Sequence, residues 1–388
     1  MDRKFYLDLA ASGLCMPVGA DLVLREHADH QEILCDGARL GAVIKEAADR
    51  FGTPLALPIM DLKLEKQALL SMLDVPATEV DTYHMTTPPT DRMMRQVQRR
   101  LGDAYDDRLA AQVDAIAWIA TNTPLVPVGI TIGPFSLMTK LISDPITPLY
   151  LAASGVTAQE EPEILMIERC LELATKIILR SINAQILAGA QVIFIAEPAA
   201  NIAYISPKQI DAGSDVFDRF VMKYNQRIRA TLRAWDVDLF FHCCGELTPY
   251  MVRKFGELDP AIISLGSSRK LWEDAQLLPE TTVLYGNLPS KRFYSDDLMP
   301  LAEVKKAARE LQERMAQTGH AFIIGSECDI LSVPGHEKTI MAKAMGMIEA
   351  TGGNKTAQLM ALLACAGHAS NGCSCEHEHA TATAMATV

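Results

Sequence analysis

The feature that most constrains the fold is a repeated alternation of short apolar runs with long amphipathic segments. We predict eight strands, near residues 14–18, 54–60, 125–132, 191–196, 237–241, 261–265, 282–284 and 321–324. Most of these runs are apolar throughout, as in parallel strands that are buried on both faces. Between them, apolar residues recur at helical spacing in segments 161–189, 217–235 and 302–318. The alternation predicts an α/β fold, specifically a (β/α)8 TIM barrel.

A doubly wound open sheet is the alternative architecture. Such sheets often carry a glycine-rich phosphate-binding turn after the first strand, and the sequence has neither a G-x-G-x-x-G motif nor a P-loop. The amphipathic segments 20–49 and 91–118 are predicted to be additional N-terminal helices that cover the barrel. We therefore predict a single barrel domain over residues 1–366 and a separate tail over residues 367–388.

The predicted tail is rich in small and polar residues. It also carries several side chains that bind metals, namely His368, Cys373, Cys375, His377 and His379. Short Cys/His tracts can bind metal ions, whereas low-complexity chain ends are often disordered. We predict a flexible tail, and a role in metal binding or delivery stays open.

Net charge and cysteine usage exclude several classes of function. The 388 residues carry a formal net charge of −12, whereas binding to nucleic acid needs a basic surface. Neither a cleavable signal sequence nor an apolar run long enough to cross a bilayer is recognisable. Nine cysteines, an odd number, argue against a disulfide framework and favour reduced thiols or metal ligands. We expect a cytoplasmic protein with no nucleic-acid or membrane partner.

Polar side chains occur where several of the predicted strands end. They are Asp61, Glu197, His242, Cys244, Asn287, Glu327 and Cys328. In a TIM barrel the carboxyl ends of the strands meet at one face, and that face holds the active site. We therefore expect these side chains to lie at that face.

His242, Cys244 and Cys328 have the ligand chemistry of a zinc site. Residues two apart in an extended segment face the same side, so His242 and Cys244 should point together while Cys243 points away. Three nitrogen and sulfur ligands leave the fourth tetrahedral position open, as in catalytic zinc sites. A thiol bound there is deprotonated, which favours alkyl transfer to or from sulfur over hydrolysis. For the His-Cys-Cys tripeptide taken alone, buried packing is the alternative.

Several segments resemble the uroporphyrinogen decarboxylase superfamily, over roughly residues 10–350. The segments are 128–136 (VGITIGPFS), 188–193 (AGAQVI) with the following Glu197-Pro198, 205–207 (ISP), 242–245 (HCCG), 285–288 (YGNL) and 325–328 (GSEC). The His-x-Cys pair with a distant Cys resembles the zinc site of the cobamide-dependent methyltransferase branch, such as methylcobamide:coenzyme M methyltransferases. The Gly-Asn and Gly-Pro-Phe turns are general to the superfamily and indicate only the fold.

The resemblance implies a zinc-dependent methyltransferase. Zinc would hold an acceptor thiolate, and a methylcobamide on a separate corrinoid protein would supply the methyl group. The sequence has no corrinoid-binding Asp-x-His-x-x-Gly motif, so the corrinoid is expected on a partner or free in solution. The reverse direction, O- or N-demethylation onto the corrinoid, stays open, as does the identity of the small acceptor. The resemblance also raises a homodimer as one arrangement.

A metal-free decarboxylase is the nearest alternative function. By resemblance, such enzymes bind a polycarboxylate through an Arg-rich segment after the first strand and an Asp after the second. Asp61 occupies the second place, but residues 16–23 (MPVGADLV) contain no arginine. A third alternative is a non-catalytic, zinc-handling protein that uses the Cys/His tail.

The remaining polar residues receive narrower predictions. Asp61, Glu65 and Glu197 are candidate catalytic or substrate-orienting groups, and ion pairing or amide binding at the barrel mouth is the alternative. Asn287 is predicted to bind the cofactor, or else to shape a turn. Glu327 precedes a ligand and could orient it.

Overall fold

The computed structural model describes residues 1–355 together with Leu359, Leu362 and Leu363. Within them, eight parallel strands are β1 (Cys15–Met16), β2 (Leu55–Ala56), β3 (Val126–Ile132), β4 (Val192–Ala196), β5 (Asp238–Cys243), β6 (Ile262–Leu265), β7 (Val283–Leu288) and β8 (Phe322–Ser326). Neighbouring strands follow the order β1–β8–β7–β6–β5–β4–β3–β2. The sheet curls round into a (β/α)8 barrel, so the predicted fold class is confirmed.

The strands differ from the predicted runs mainly at their ends. β2 is much shorter than the run 54–60, because Pro54 and Pro58 have no amide hydrogen to donate to a ladder. β7 extends beyond the run 282–284, since its pairing with β8 continues as far as Leu288. β5 continues to Cys243 and so includes His242 within the strand.

Helices connect the strands and cover the outside of the barrel. Those of the described residues are α1 (Arg3–Ala11), α2 (Ala20–Leu24), α3 (His30–Ile33), α4 (Gly37–Phe51), α5 (Leu64–Met72), α6 (Asp91–Arg100), α7 (Asp107–Asn122), α8 (Pro134–Leu141), α9 (Ile146–Ala153), α10 (Pro162–Leu187), α11 (Pro207–Asp211), α12 (Lys223–Ala234), α13 (Pro249–Gly256), α14 (Leu271–Asp274), α15 (Leu301–Ala316) and α16 (Glu337–Ala350). The predicted helices at 161–189 and 302–318 correspond to α10 and α15. The predicted N-terminal segments form α2–α4 and α6–α7, so the additional helices are confirmed.

Alternate side chains along each strand point to the barrel interior and to the surrounding helices. The interior cluster includes Val128, Ile130, Phe194, Phe240 and Tyr285. The outer cluster, which packs against the helices, includes Ile193, Ile195, Phe241, Ile263 and Leu284. Because both faces are buried, the strands are apolar throughout. This is why the sequence shows continuous apolar runs rather than alternation.

α1 covers the amino-terminal end of the strands, a role that the sequence pattern does not predict. Phe5, Tyr6 and Leu9 of this helix belong to the interior cluster. The Tyr6 hydroxyl donates to the Asp238 carboxylate at the start of β5, at 2.8 Å. The carboxyl ends of the strands lie at the other end of the barrel, where the polar residues are found.

Across the described part of the chain, no helix is both long enough and apolar enough to cross a membrane.

Candidate metal centre

His242 near the end of β5 and Cys244, which follows the strand, lie on the inner side of the barrel, and Cys243 lies on the outer side. His242 pairs in register with Ala196 of β4 and Ser264 of β6. Cys243 is buried in the outer cluster, and its Sγ lies 3.8 Å from the Ala200 carbonyl oxygen. The predicted opposite orientation of Cys243 is confirmed.

The structure brings together the three predicted metal ligands. One ligand atom from each of His242, Cys244 and Cys328 lies within 4.8 Å of the others. Tetrahedral zinc with bonds of about 2.0–2.3 Å to nitrogen and sulfur sets its ligand atoms about 3.7 Å apart. The triad therefore fits a zinc ion with small side-chain adjustments.

The environment of His242 supports a ligand role for one of its ring nitrogens. The side chain is buried, and Nδ1 lies 2.8 Å from the Ser264 hydroxyl. Nε2 is also buried, but it has no hydrogen-bond partner among the described residues. A buried polar atom without a partner is costly, and a metal ion at Nε2 would remove that cost.

The thiols of Cys244 and Cys328 lie close to each other. A hydrogen bond from Cys328 holds the pKa of the Cys244 thiol well below its usual value, and a smaller effect of His242 acts in the same direction. The same interaction, together with burial, raises the pKa of Cys328 well above its usual value. A metal ion that bound both sulfurs would hold them as thiolates and displace their protons.

Lys291 is the positively charged residue whose charge interacts with Cys244, Cys328 and Glu327. Lys291 lies in a short 3₁₀ turn, Ser290–Arg292, that follows β7. Partial burial lowers the pKa of Lys291, but the negative charges of Cys244, Glu327 and Cys328 outweigh this effect and raise it. The sequence analysis missed Lys291, because a single lysine in a loop carries no motif.

Glu327 and Asn287 lie beside the ligands and bind neighbouring loops. The Glu327 carboxylate accepts from the hydroxyl of Ser267 at 2.6 Å and from its amide at 3.2 Å. The Asn287 amide donates to the carbonyl oxygens of Gly266 at 2.8 Å and Arg269 at 2.9 Å. These contacts are those of a loop-shaping amide, and cofactor binding by Asn287 stays a prediction.

Glu197 is buried at the N-terminus of α8. Its carboxylate accepts from the amides of Phe135 at 3.0 Å and Ser136 at 2.8 Å, and from the Asn225 side chain at 3.0 Å. Burial raises the pKa of Glu197 and these donors oppose the rise. Its position in line with Ile193 and Ile195 directs it outward from the barrel, so its contacts are those of a helix-capping acid.

The side chains of Asp61 and Glu65 contact helices α7 and α10 rather than the predicted metal ligands. Asp61 forms an ion pair with Arg108 of α7 at 2.5 Å. Glu65 accepts from the Ser181 hydroxyl of α10 at 3.0 Å, and its other oxygen is buried without a partner among the described residues. Burial raises the pKa of Glu65 to about 7. Catalytic roles for these two acids stay predictions.

Asp329 is a further acid that the sequence analysis did not single out. It follows Cys328, is buried, and accepts weakly from the Met60 amide at 3.4 Å. Burial, and then the charge of Asp21, raises the pKa of Asp329 to about 7. Asp329 therefore links the end of β8 to the loop after β2 through the Met60 amide.

A large groove lies at the opposite end of the barrel from the triad. Its volume is about 1010 Å³, and its walls include Leu7, Ala10, Trp272, Met315 and His320. None of the three predicted metal ligands lines it. The predicted metal-binding tail, residues 367–388, lies outside the described residues.

Comparisons with known proteins agree with the fold and with the predicted superfamily. The uroporphyrinogen decarboxylase (URO-D) family matches residues 21–345, and no curated protein matches the sequence. Among 33 matching chains of solved structures is a methyltransferase from Methanosarcina mazei. It is 16% identical with a TM-score of 0.60, and the match covers 89% of this chain and 97% of that one. At this identity the likeness concerns the fold alone. Because the family match spans most of its length, the chain belongs to the uroporphyrinogen decarboxylase (URO-D) family.

Proposed function

We propose that this protein is a zinc-dependent methyltransferase that moves a methyl group between a corrinoid and a thiol or another small acceptor. The observation that carries the proposal is the triad of His242, Cys244 and Cys328, whose ligand atoms converge while the buried His242 Nε2 lacks a partner among the described residues. The likeness in fold to a methyltransferase from Methanosarcina mazei is consistent with it.

The burial of the three ligands favours an open coordination position. His242 is buried, whereas Cys244 and Cys328 are each partly accessible. A fourth ligand could therefore approach from the side of the two sulfurs. Zinc held there would bind an acceptor thiol as its thiolate.

The protein's own residues would orient and enclose that acceptor. Glu327 fixes the backbone that leads into Cys328, and Lys291 places a positive charge beside the two sulfurs. Transfer forms a carbon–sulfur bond as the cobalt–carbon bond of the methylcobamide breaks, and the electron pair of that bond stays on cobalt. Proximity and the supply of thiolate would provide most of the rate enhancement.

The corrinoid is proposed as a substrate that a partner protein delivers. The chain lacks the Asp-x-His-x-x-Gly motif for corrinoid binding, and the carboxyl ends of the strands offer the face on which a carrier would dock. Demethylation of an O- or N-methyl compound onto the corrinoid is the reverse possibility. Two thiolate ligands favour a sulfur acceptor, because they reduce the Lewis acidity that activates a poor leaving group. A homodimer stays a proposal by resemblance.

Metal-free decarboxylation is the second candidate, favoured by the family to which the chain belongs. Residues 16–23 contain no arginine to bind a polycarboxylate. Asp61 of the second loop is already paired with Arg108. A decarboxylase would also leave the converging triad without a role.

The test is methyl transfer from free methylcobalamin to a panel of small thiols by zinc-loaded protein. Loss of methylcobalamin absorbance and mass detection of the S-methyl product would report the reaction. We expect transfer by the wild type and by Cys243→Ala, whose sulfur points away from the triad, and none by His242→Ala or Cys328→Ala. Equal transfer by all four proteins would contradict the proposal, and metal-independent release of CO2 from a polycarboxylate would favour the decarboxylase.

A further inference from the structure

One segment that supplies no metal ligand contacts all three ligand-bearing parts of the chain. This segment, residues 264–267, runs from the end of β6 into the loop before α14. Ser264 lies 2.8 Å from His242 Nδ1, and Ser267 binds Glu327, the residue before Cys328. A side chain at Gly266 would place its Cβ only 2.5 Å from the Cys244 carbonyl oxygen. Residues that contact His242, Cys244 and the residue before Cys328 thus all lie within the four positions 264–267.

We propose that Ser264 and Ser267 are positioning residues that set the metal affinity of the triad, Ser264 by fixing the tautomer and ring orientation of His242 and Ser267 by fixing the Cys328 segment through Glu327. The inference rests on the proposed zinc site. It adds that β6, which contributes no ligand, determines the geometry of the site.

The argument for Ser264 follows from the chemistry of neutral imidazole. One ring nitrogen carries hydrogen and the other carries the lone pair that binds metal. When the Nδ1 hydrogen is donated to the Ser264 oxygen at 2.8 Å, Nε2 keeps its lone pair. Nε2 is the buried ring nitrogen that has no hydrogen-bond partner among the described residues. Such support of a ligating histidine typically changes metal affinity by about 10- to 100-fold.

The argument for Ser267 follows from two hydrogen bonds to one charged oxygen. Its hydroxyl and its amide both donate to the same Glu327 carboxylate oxygen, at 2.6 Å and 3.2 Å. The Glu327 amide donates to the Leu288 carbonyl oxygen at 2.8 Å. Glu327 is thus held by both its side chain and its backbone, which limits the positions open to the neighbouring Cys328.

The segment is itself held in place from β7. The Asn287 side chain donates to the carbonyl oxygens of Gly266 and Arg269 at 2.8 Å and 2.9 Å. Both hydrogens of this amide are therefore used to fix the loop that carries the two serines. A fixed loop can hold the ligands in position before the metal arrives, which lowers the cost of ordering them on binding.

The test compares metal binding by Ser264→Ala, Ser267→Ala and the matched pair Ser264→Thr and Ser264→Val. Threonine keeps the hydroxyl and valine replaces it with a methyl group of similar size. Zinc affinity would be measured by chelator competition, and the sulfur-to-cobalt charge-transfer band of the Co2+-substituted protein would report ligand geometry. Thr175→Val is the control, since it removes a buried hydroxyl on α10 that bonds only to the Leu171 carbonyl oxygen among the described residues.

We expect Ser264→Ala and Ser264→Val to weaken zinc binding by about 10- to 100-fold and to change the cobalt spectrum. Ser264→Thr should stay close to the wild type, Ser267→Ala should weaken binding by a smaller factor, and Thr175→Val should leave it unchanged. Equal zinc affinity and equal spectra for Ser264→Thr and Ser264→Val would overturn the inference while leaving the proposed function intact. A wild-type protein that binds no zinc at the triad would overturn both.

Discussion

Glu65 should make the stability of the protein depend on pH in a way that one substitution removes. The carboxyl is buried on α5 and accepts a hydrogen bond from Ser181, and its second oxygen has no partner among the described residues. Glu65→Gln has the same shape as the protonated acid but does not titrate. The substitution therefore isolates the free energy that the fold loses when this carboxyl ionises.

The magnitude follows from the raised pKa. Burial moves the pKa of Glu65 from 4.5 to about 7, which corresponds to about 3 kcal/mol at 1.36 kcal/mol per pKa unit. Because the pKa is raised in the folded state, the folded protein binds more protons than the unfolded chain between these two values. The stabilisation is complete below pH 4.5 and is lost as the pH rises to about 7.

The assay is thermal unfolding of the wild type and Glu65→Gln at fixed ionic strength between pH 4.5 and 8. For a chain of 388 residues, about 3 kcal/mol corresponds to about 4 °C in melting temperature. We expect the melting temperature of Glu65→Gln, relative to the wild type, to rise by about this amount across the range. Glu313→Gln, at an exposed position on α15, is the control and should show no such trend. A difference between wild type and Glu65→Gln that does not change with pH would refute the reasoning.

Two further predictions concern the barrel mouth. Gly133→Ala should lower stability by about 1–3 kcal/mol, because the added Cβ would overlap the buried Glu197 carboxylate; denaturant unfolding would measure this, and an unchanged midpoint would contradict it. Lys291→Met should leave zinc content unchanged but weaken thiol binding by about two- to five-fold. The bound acceptor adds a third thiolate beside Cys244 and Cys328, and the substitution removes the nearby positive charge that would stabilise it. Thiol titration of the Co2+-substituted protein would test this against Arg292→Met on the same turn, and equal affinities would argue against a role for Lys291.

The fold and the convergence of His242, Cys244 and Cys328 could be predicted because they depend on short-range rules. Apolar runs identified the strands, and the two-residue period of a strand placed His242 and Cys244 together and Cys243 apart. Cys328 could be added because parallel strands of a barrel end at the same face. Each of these steps needs only the local sequence and a fold class.

The supporting residues could not be predicted with the same rules. Ser264 lies in an apolar run and looks like an ordinary strand residue, and only its register beside His242 gives it a role. The sequence also suggested that Glu65 and Glu197 belong to the barrel mouth, and catalytic roles for them stay predictions. Whether a side chain points inward or between helices depends on packing that only the folded chain shows.

The most direct test of the central claim is the zinc content of purified protein, as the full chain and lacking residues 367–388. We predict about one zinc per chain in both forms and in Cys243→Ala, and loss of the metal in His242→Ala and Cys328→Ala. Zinc that persists in both of these variants, or that disappears when residues 367–388 are removed, would contradict a zinc site built from His242, Cys244 and Cys328.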